Sequence, residues 1–549
     1  MEQPHDGAVA TTGGDDGCDV ALIGAEIEEN LALRYLVSAC EHAGLRAVVV
    51  PFAAPEEIPR VASQALEARP LVIGLSMTFQ SRCREFIELA REIRRRGFTG
   101  HVTAGGHFAT LACGELLRDV PAIDTCVRNE GEEALVELIE AVRRRDTPAQ
   151  ILEIPGLAAR DADGRVVLTP RRRLPALDQL AWPDRTRPAA RTLGVVTATV
   201  LGSRGCYAEC AFCSIYSFSR AASGPRFRMR TVPDVVAEIE ELYRTRGVRV
   251  FNFNDDTFFL PSRAKNLERL EAFSREIVRR GLDDVAFVLK CRPDDVEPAY
   301  FDALAPIGVI RVYVGVENNS EVGLLSLARG VTPDENDRAL RVLRERGIYH
   351  TFNMLLFDPD STLDSIATNI DLLEAHADVP WNFCRTEIYV GTPLEERLRR
   401  EGRLEGDYLG WGYRIEDERA ELMFRIASVA FHQRNFAPDG IAILNMGLRY
   451  DLEVLRRFHP GAHDAALHDE AVAVSRAVGE SSARRLRDLH AFVSSVDLGD
   501  AAKIQDATVA AARAVHRDDF ALLSALKRVR GEIGARARNT PSTNVGEKS

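Results

Sequence analysis

No stretch of the 549-residue chain approaches the roughly 18 uninterrupted apolar residues that a membrane span requires, and its first 17 residues lack the apolar core of a secretory signal. The expected location is the cytoplasm, with no membrane partner. Positive charge is also short: 70 Lys and Arg stand against 82 Asp and Glu, and the resulting −12 repels phosphate backbones and anionic lipid. Nucleic acid is not an expected partner. Ten cysteines in this length fall far below the density of a disulfide scaffold, so in a reducing compartment the question is which of them bind metal. Seven are scattered: Cys18, Cys40, Cys83, Cys113, Cys126, Cys291 and Cys384. There is no repeat of solenoid length and no low-complexity segment between the tails. What is present is 46% apolar residues, enough for cores in three or four domains.

Hydrophobic periodicity divides the chain. Residues 1–17 and 535–549 are expected to be disordered tails. Strand-like DVALIGA, RAVVVPF, PLVIGLSM and HVTAGGH alternate with amphipathic helices over 18–147, the pattern of a doubly wound (Rossmann-like) α/β domain with a parallel sheet. Residues 148–190, rich in Pro, Arg and Asp, suit a connecting segment. A second α/β series occupies 191–400, with strands near 196–202, 248–253, 285–290, 310–316, 350–357 and 382–389. Six β-α units in succession predict a partial (β/α)6 barrel, with reactive groups at the C-terminal strand ends. From 401 to 534 the period is helical, predicting a helical C-terminal domain.

Directly after the first strand of the second series comes GSRGCYAECAFCS, which sets Cys206, Cys210 and Cys213 in C-x3-C-x2-C spacing. Three thiolates within eight residues can reach three corners of one cluster, and Gly202 and Gly205 let the backbone fold tightly around it. The loop offers no His and no fourth Cys, so a closed zinc site fits poorly. An iron-sulfur cube held by three cysteines leaves one iron open.

This loop, with the aromatic Phe212 before its last cysteine and a six-unit β/α series around it, resembles the radical S-adenosylmethionine (SAM) superfamily. The resemblance implies a [4Fe-4S] cluster on Cys206, Cys210 and Cys213 whose open iron is chelated by SAM, with Phe212 beside it. It also implies an external one-electron donor of the flavodoxin or ferredoxin type. Asn254, Asp255 and Asp256 after the second strand fall where the superfamily presents groups to the SAM ammonium; the two aspartates also suit a simple turn before a helix that Ser262 caps. Glu317, ending the apolar strand in VYVGVENNSEVGLLSLARG, is similar to the fourth-strand carboxylate that helps hold SAM. Arg292 could fork onto the SAM carboxylate or a substrate acid, or pair with Asp294 or Asp295. EIYVGTPLEERLRREGRL is similar to the closing loop of the cobalamin-associated branch, with Tyr389 and Val390 in place of Pro-Tyr-Pro. Cys291, Cys384, Trp381, Trp411, Tyr413 and His432 carry no partner spacing and suit packing or surface positions.

The domain in front resembles the cobalamin-binding domain of B12-dependent radical SAM enzymes through GLSMTFQ, AGGHFATLA and VRNEGEEALVEL. Their loops would leave one sheet edge together and form a bed for a corrin. Ser76, Met77, Thr78 or Phe79 would lie beneath the metal, Gly105 and Gly106 would allow close backbone approach, and Glu132 would lie on the last loop. His107 would contact a corrin amide or cap a helix. GAEIEEN after the first strand lacks Asp-x-His-x-x-Gly, so bound cobalamin is expected to be His-off. Asn129 stands where the family pattern has Gly. A flavodoxin-like domain that binds something else remains the other reading.

Together the resemblances imply a cobalamin-dependent radical SAM methyltransferase. It would methylate an unactivated carbon of a small-molecule or peptide natural-product precursor, through a 5′-deoxyadenosyl radical and methylcobalamin. The helical domain would close the cavity against water. The first alternative is another radical reaction, namely cyclisation, ring contraction, dehydration or epimerisation, with cobalamin redox-active or absent. A cobalamin-binding regulator is the alternative from a different class, but it would have no need of the three-cysteine loop.

Overall fold

A computed structural model describes residues 17–26 and 29–540, so residues 1–16 and 541–549 of the expected tails lie outside the described residues. The chain separates into two compact units, one ending at Arg172 and the other beginning at Arg173. The first is built on seven strands: β1 (Val20–Gly24), β2 (Ala47–Pro51), β3 (Val72–Ser76), β4 (His101–Gly105), β5 (Thr125–Val127), β6 (Leu157–Arg160) and β7 (Val166–Leu168). Their order is β2-β1-β3-β4-β5-β6-β7, parallel through β5 and antiparallel beyond. The change of direction at β1/β3 is the switch point of a doubly wound sheet. Apolar β1 and most of β3 are buried because helices cover both faces. The segment 148–190 is more than a connector: β6 and β7 pair onto β5 and cover an edge that would otherwise stay open.

The second unit carries β8 (Ala190–Thr192), β9 (Val195–Val200), the two-residue pair β10 (Ser203–Arg204) and β11 (Arg228–Met229), then β12 (Val248–Phe253), β13 (Ala286–Cys291), β14 (Val309–Glu317), β15 (His350–Phe357) and β16 (Trp381–Arg385). Its large sheet runs β16-β15-β14-β13-β12-β9-β8, parallel except for β8. Six parallel strands with helices between them form the expected partial barrel, with each strand within a few residues of its sequence-based position. The interior shows most plainly along β14. Ile310, Val312, Val314 and Val316 are buried, while the alternating Arg311, Tyr313, Gly315 and Glu317 keep partial solvent access. A parallel strand is usually apolar on both faces, so a polar inner face marks a lined space rather than a packed core.

A hairpin of β17 (Leu404–Asp407) and β18 (Gly410–Tyr413) opens the region expected to be helical throughout. Gly406, at φ +89°, and Gly410 and Gly412 explain the difference, since glycine weakens a helix and supplies tight turns. Beyond it the helices dominate, and the last, Ala501–Asn539, continues past the expected tail boundary at 535. These helices share one continuous core with the barrel: Ile426, Leu486, Val493 and Val515 join Phe352, Met354 and Phe383. The helix Ile441–Phe458 sends Val454 and Phe458 among Val195, Val250, Ala286 and Ile310, at or near the N-terminal ends of their strands. Arg457 on the same helix donates to the carbonyls of Asp283 (2.7 Å) and Val285 (2.9 Å). This helix therefore plugs the barrel floor, at the end opposite to the cysteine loop.

Candidate active site

The cysteine loop leaves the C-terminal end of β9 and is fastened on three sides. Asp255 Oδ1, just past β12, accepts the amides of Gly202 (2.7 Å) and Ser203 (3.1 Å). Ala211 donates its amide to Leu327 (2.9 Å), and its carbonyl accepts the amide of Leu394 (2.9 Å). Gly205 adopts φ +80°, and a Cβ there would collide with the Arg226 carbonyl, so this turn requires glycine. All ten cysteines are free thiols, Cys210 buried and Cys206 and Cys213 half-buried. Burial raises the thiols of Cys206 and Cys213, the latter to about 12, and the charges of Cys210 and Asp256 add to the rise in both.

Among the described residues no group of three or more His, Cys, Asp or Glu side chains stands gathered for a metal ion. The loop instead offers three soft donors without a fourth, and one of them already has cationic neighbours. Arg329 Nη1 lies 3.1 Å from Cys210 Sγ and Arg292 Nη1 lies 3.6 Å from it. Two guanidiniums on one sulfur suit an anionic thiolate, so the donor chemistry fits a cluster ligand.

The remaining expected SAM contacts divide. Phe212 packs against the barrel core beside its cysteine. Asn254 is exposed and accepts a hydrogen bond from Lys290 Nζ (3.0 Å). Asp256 keeps accessible surface yet is ringed by protein, which raises its carboxyl against the pull of Lys290, and it faces the cysteine loop. Asp255 is fully buried, burial pushes its carboxyl up to about 6, Oδ1 is spent on the loop amides, and Oδ2 has no hydrogen-bond partner among the described residues. Arg292 is likewise committed, through Nε to Asp294 (2.9 Å) and through Nη2 to the Arg329 carbonyl (2.9 Å), because the loop packs over it. Asp295 instead accepts Tyr207 Oη at 2.6 Å.

Glu317 ends β14 at φ +64°, a left-handed conformation that is costly for a side chain other than Gly, Asn or Asp. Burial raises its carboxyl while Arg329 opposes the rise. Gly315 makes room below it, since a Cβ there would lie 3.3 Å from Glu317 Oε1.

Several inward groups were not legible in the sequence. Lys290, Tyr313, Cys384 and Tyr389 line the same interior; Cys384 is half-buried and electrostatically adjacent to Glu317 and Tyr313, so packing alone does not describe it. Cys291, Trp381 and Tyr413 are buried in the core as expected. The single sequence signal for Arg329 was its place at the end of the Glu317 motif.

In the first unit the loops after β3, β4 and β5 leave one sheet edge. Met77 donates its amide to the Gly105 carbonyl (2.7 Å), and Gly106, at φ +96°, would bring a Cβ within 3.0 Å of Met77 and Thr78. The two glycines thus interlock the loops as well as opening the edge. Of the four residues expected beneath the metal, Met77 is buried, Ser76 and Thr78 are half-buried, and Phe79 is 60% exposed. Phe79 is thus the large apolar surface on this edge. Burial lowers the half-exposed His107 to about 4, which keeps it neutral. Asn129 adopts φ +69°, supplying the left-handed turn of the glycine it replaces, and its Oδ1 accepts the Glu130 amide (2.8 Å). Glu132 opens the helix that follows. These loops present Phe79 beside the half-buried polar groups of Ser76, Thr78 and His107.

Residues 17–139 match the B12 binding domain family, and residues 200–373 match the Radical SAM superfamily. The chain carries a B12 binding domain and a Radical SAM domain. Its radical SAM domain implies a [4Fe-4S] cluster and SAM, and its B12-binding domain implies cobalamin. It is 27% identical over 334 residues to an uncharacterized methyltransferase of Pyrococcus horikoshii, covering 60% of this chain and 69% of that one. It is 29% identical over 313 residues to the anaerobic magnesium-protoporphyrin IX monomethyl ester cyclase of Cereibacter sphaeroides, covering 54% of this chain and about half, 48%, of the cyclase. Two solved structures share the fold. The cobalamin-dependent SAM radical enzyme OxsB with aqua-cobalamin superposes with a TM-score of 0.66 at 15% identity, over 95% of this chain and 81% of that one. The radical SAM methyltransferase TsrM from Kitasatospora setae, with cobalamin and [4Fe-4S] cluster bound, gives 0.58 at 22%, over 70% and 78%. No helix among the described residues is long and apolar enough to cross a membrane.

Proposed function

We propose that this B12-binding radical SAM protein methylates an unactivated carbon of a small-molecule or peptide natural-product precursor. The observation that carries this reading is the three-thiol loop, with two guanidiniums on Cys210, at the C-terminal end of a barrel whose inner face is polar. When bound, the cluster and SAM supply a carbon-centred radical and the corrin supplies the methyl group.

The chain's own residues bind, orient and exclude water. Cys206, Cys210 and Cys213 would hold the cluster, and Asn254, Asp256 and Glu317 would receive the SAM amino-acid end. Lys290, by holding Asn254 and facing Asp256, fixes both groups at the mouth. The helix Ile441–Phe458 keeps water from the floor. In the first unit Ser76, Thr78, Phe79, Gly105, Gly106, His107 and Glu132 would bed the corrin. No histidine stands in GAEIEEN, which supports a His-off cofactor. An external low-potential electron donor of the flavodoxin or ferredoxin type completes the partners.

Anaerobic reconstitution, followed by UV-visible and EPR spectra with and without SAM and cobalamin, tests the reading. A cube signal perturbed by SAM together with bound corrin is expected, and Cys206→Ala, Cys210→Ala and Cys213→Ala each abolish the cube. A cube without corrin removes methyl transfer. The likeness to the cyclase favours a second reading, a cyclisation or related radical reaction; a product heavier than its substrate by one methylene discriminates against it.

A further inference from the structure

Arg329 and Arg292 are 5% and 7% exposed, and a cation taken that far from water requires an anion or a set of strong acceptors. Arg292 has Asp294. Arg329 has no carboxylate at salt-bridge distance among the described residues: Nη2 donates to the Gly315 carbonyl and Nη1 to Cys210 Sγ (3.1 Å), and Glu317 acts on it only through longer-range charge. The nearest group able to carry a full compensating charge is the Cys210 sulfur, once that thiol has given up its proton to bind iron.

The placement is built rather than incidental. The helix Glu321–Ser326 ends at Leu327, whose carbonyl accepts the Ala211 amide (2.9 Å). Ala328 follows in a left-handed conformation, φ +48°, which turns the chain so that Arg329 enters the loop. Arg292 Nη2 then closes on the Arg329 carbonyl (2.9 Å). Guanidinium, loop and strand end form one braced assembly. It is also asymmetric: both guanidiniums converge on Cys210, whereas Cys206 Sγ accepts the Ala208 amide (3.4 Å).

We infer that Arg329, seconded by Arg292, is a positioning residue that raises the reduction potential of the cluster by donating hydrogen bonds and positive charge to the Cys210 thiolate. The inference rests on the proposed cluster at Cys206, Cys210 and Cys213. Sulfur in the one-electron-reduced cluster is more electron-rich than in the oxidised one, so a donor fixed on it stabilises the reduced form more. The electron itself comes from the external low-potential donor.

The test is an EPR-monitored redox titration of the full-length, anaerobically reconstituted protein without SAM, in wild type, Arg329→Gln, Arg329→Lys and Arg292→Gln. Iron and sulfide content are expected to stay at the wild-type level. The midpoint shifts to more negative values in Arg329→Gln, shifts less in Arg292→Gln, whose sulfur contact is longer, and returns most of the way in Arg329→Lys. A loaded Arg329→Gln protein with an unshifted midpoint overturns the inference and leaves the cluster assignment intact. If Arg329→Gln does not load, an unshifted midpoint in Arg292→Gln overturns it instead. A wild-type protein that carries no cube overturns the proposed function, and the inference with it.

Discussion

Asp255 shows how one buried carboxyl can brace the loop that carries a site. Its Oδ1 holds two amides of the cysteine loop, and burial pushes its carboxyl up to about 6, against roughly 3.9 in the unfolded chain. The folded state therefore binds this proton more tightly. Its contribution to stability is fully present below about pH 4, falls as pH rises towards 6 and is level above that. Asp255→Asn keeps an oxygen for both amides and removes the slope. In urea titrations at pH 4 and pH 7, the loss of unfolding free energy between the two pH values is expected to shrink by about 2 to 3 kcal/mol. A second residue trades stability for position. Glu317 sits at φ +64°, so Glu317→Gly is expected to stabilise the fold by about 1 kcal/mol while weakening SAM binding roughly tenfold, about 1.4 kcal/mol, by equilibrium dialysis. Unchanged SAM affinity would remove Glu317 from the site. Glu317 was legible in the sequence because a charge ending an apolar strand is conspicuous. The brace role of Asp255 was not, because nothing in Asn-Asp-Asp says which carboxylate points into the loop.

At the scale of elements, the loop after β9 and the strand β14 build the site. Three cysteines in eight residues fix the donors, but the loop closes only because Gly205 can adopt φ +80° against the Arg226 carbonyl. Gly205→Ala is expected to cost at least about 2 kcal/mol in thermal unfolding and to lower the iron bound per chain after reconstitution. Full iron loading would show that the loop forms another way. β14 shows why strands were easy to place and their faces were not. A run of apolar residues gives the strand, yet whether Arg311, Tyr313 and Glu317 face solvent, a helix or a cavity depends on which side the helices cover. The loops of the first unit behave alike. Asn129 looked like a departure from a glycine pattern, and the backbone shows that it performs the glycine's turn.

For the molecule as a whole, one of the C-terminal helices closes the barrel at its floor. The helix Ile441–Phe458 seats Val454 and Phe458 in the floor, among Val195, Val250, Ala286 and Ile310. Phe458→Ala is expected to destabilise the fold by about 3 to 5 kcal/mol and to increase the SAM consumed per product formed, since water gains a route into the interior. A variant that unfolds earlier yet keeps its SAM-to-product ratio would show that the plug serves stability alone.

The sequence by itself determined the two α/β series, the parallel strands, the three-cysteine loop and the glycine-bearing edge of the first domain, because periodicity, turn residues and metal-ligand spacing are local properties. Tertiary structure alone decided that Arg329 meets Cys210 across 119 positions of chain, that Lys290 faces Asp256, and that a helix from the C-terminal region fills the barrel floor. Those are choices of neighbour. A buried cation or an apolar helix face finds its partner through packing of the whole chain, and no spacing along the sequence records which partner it will be.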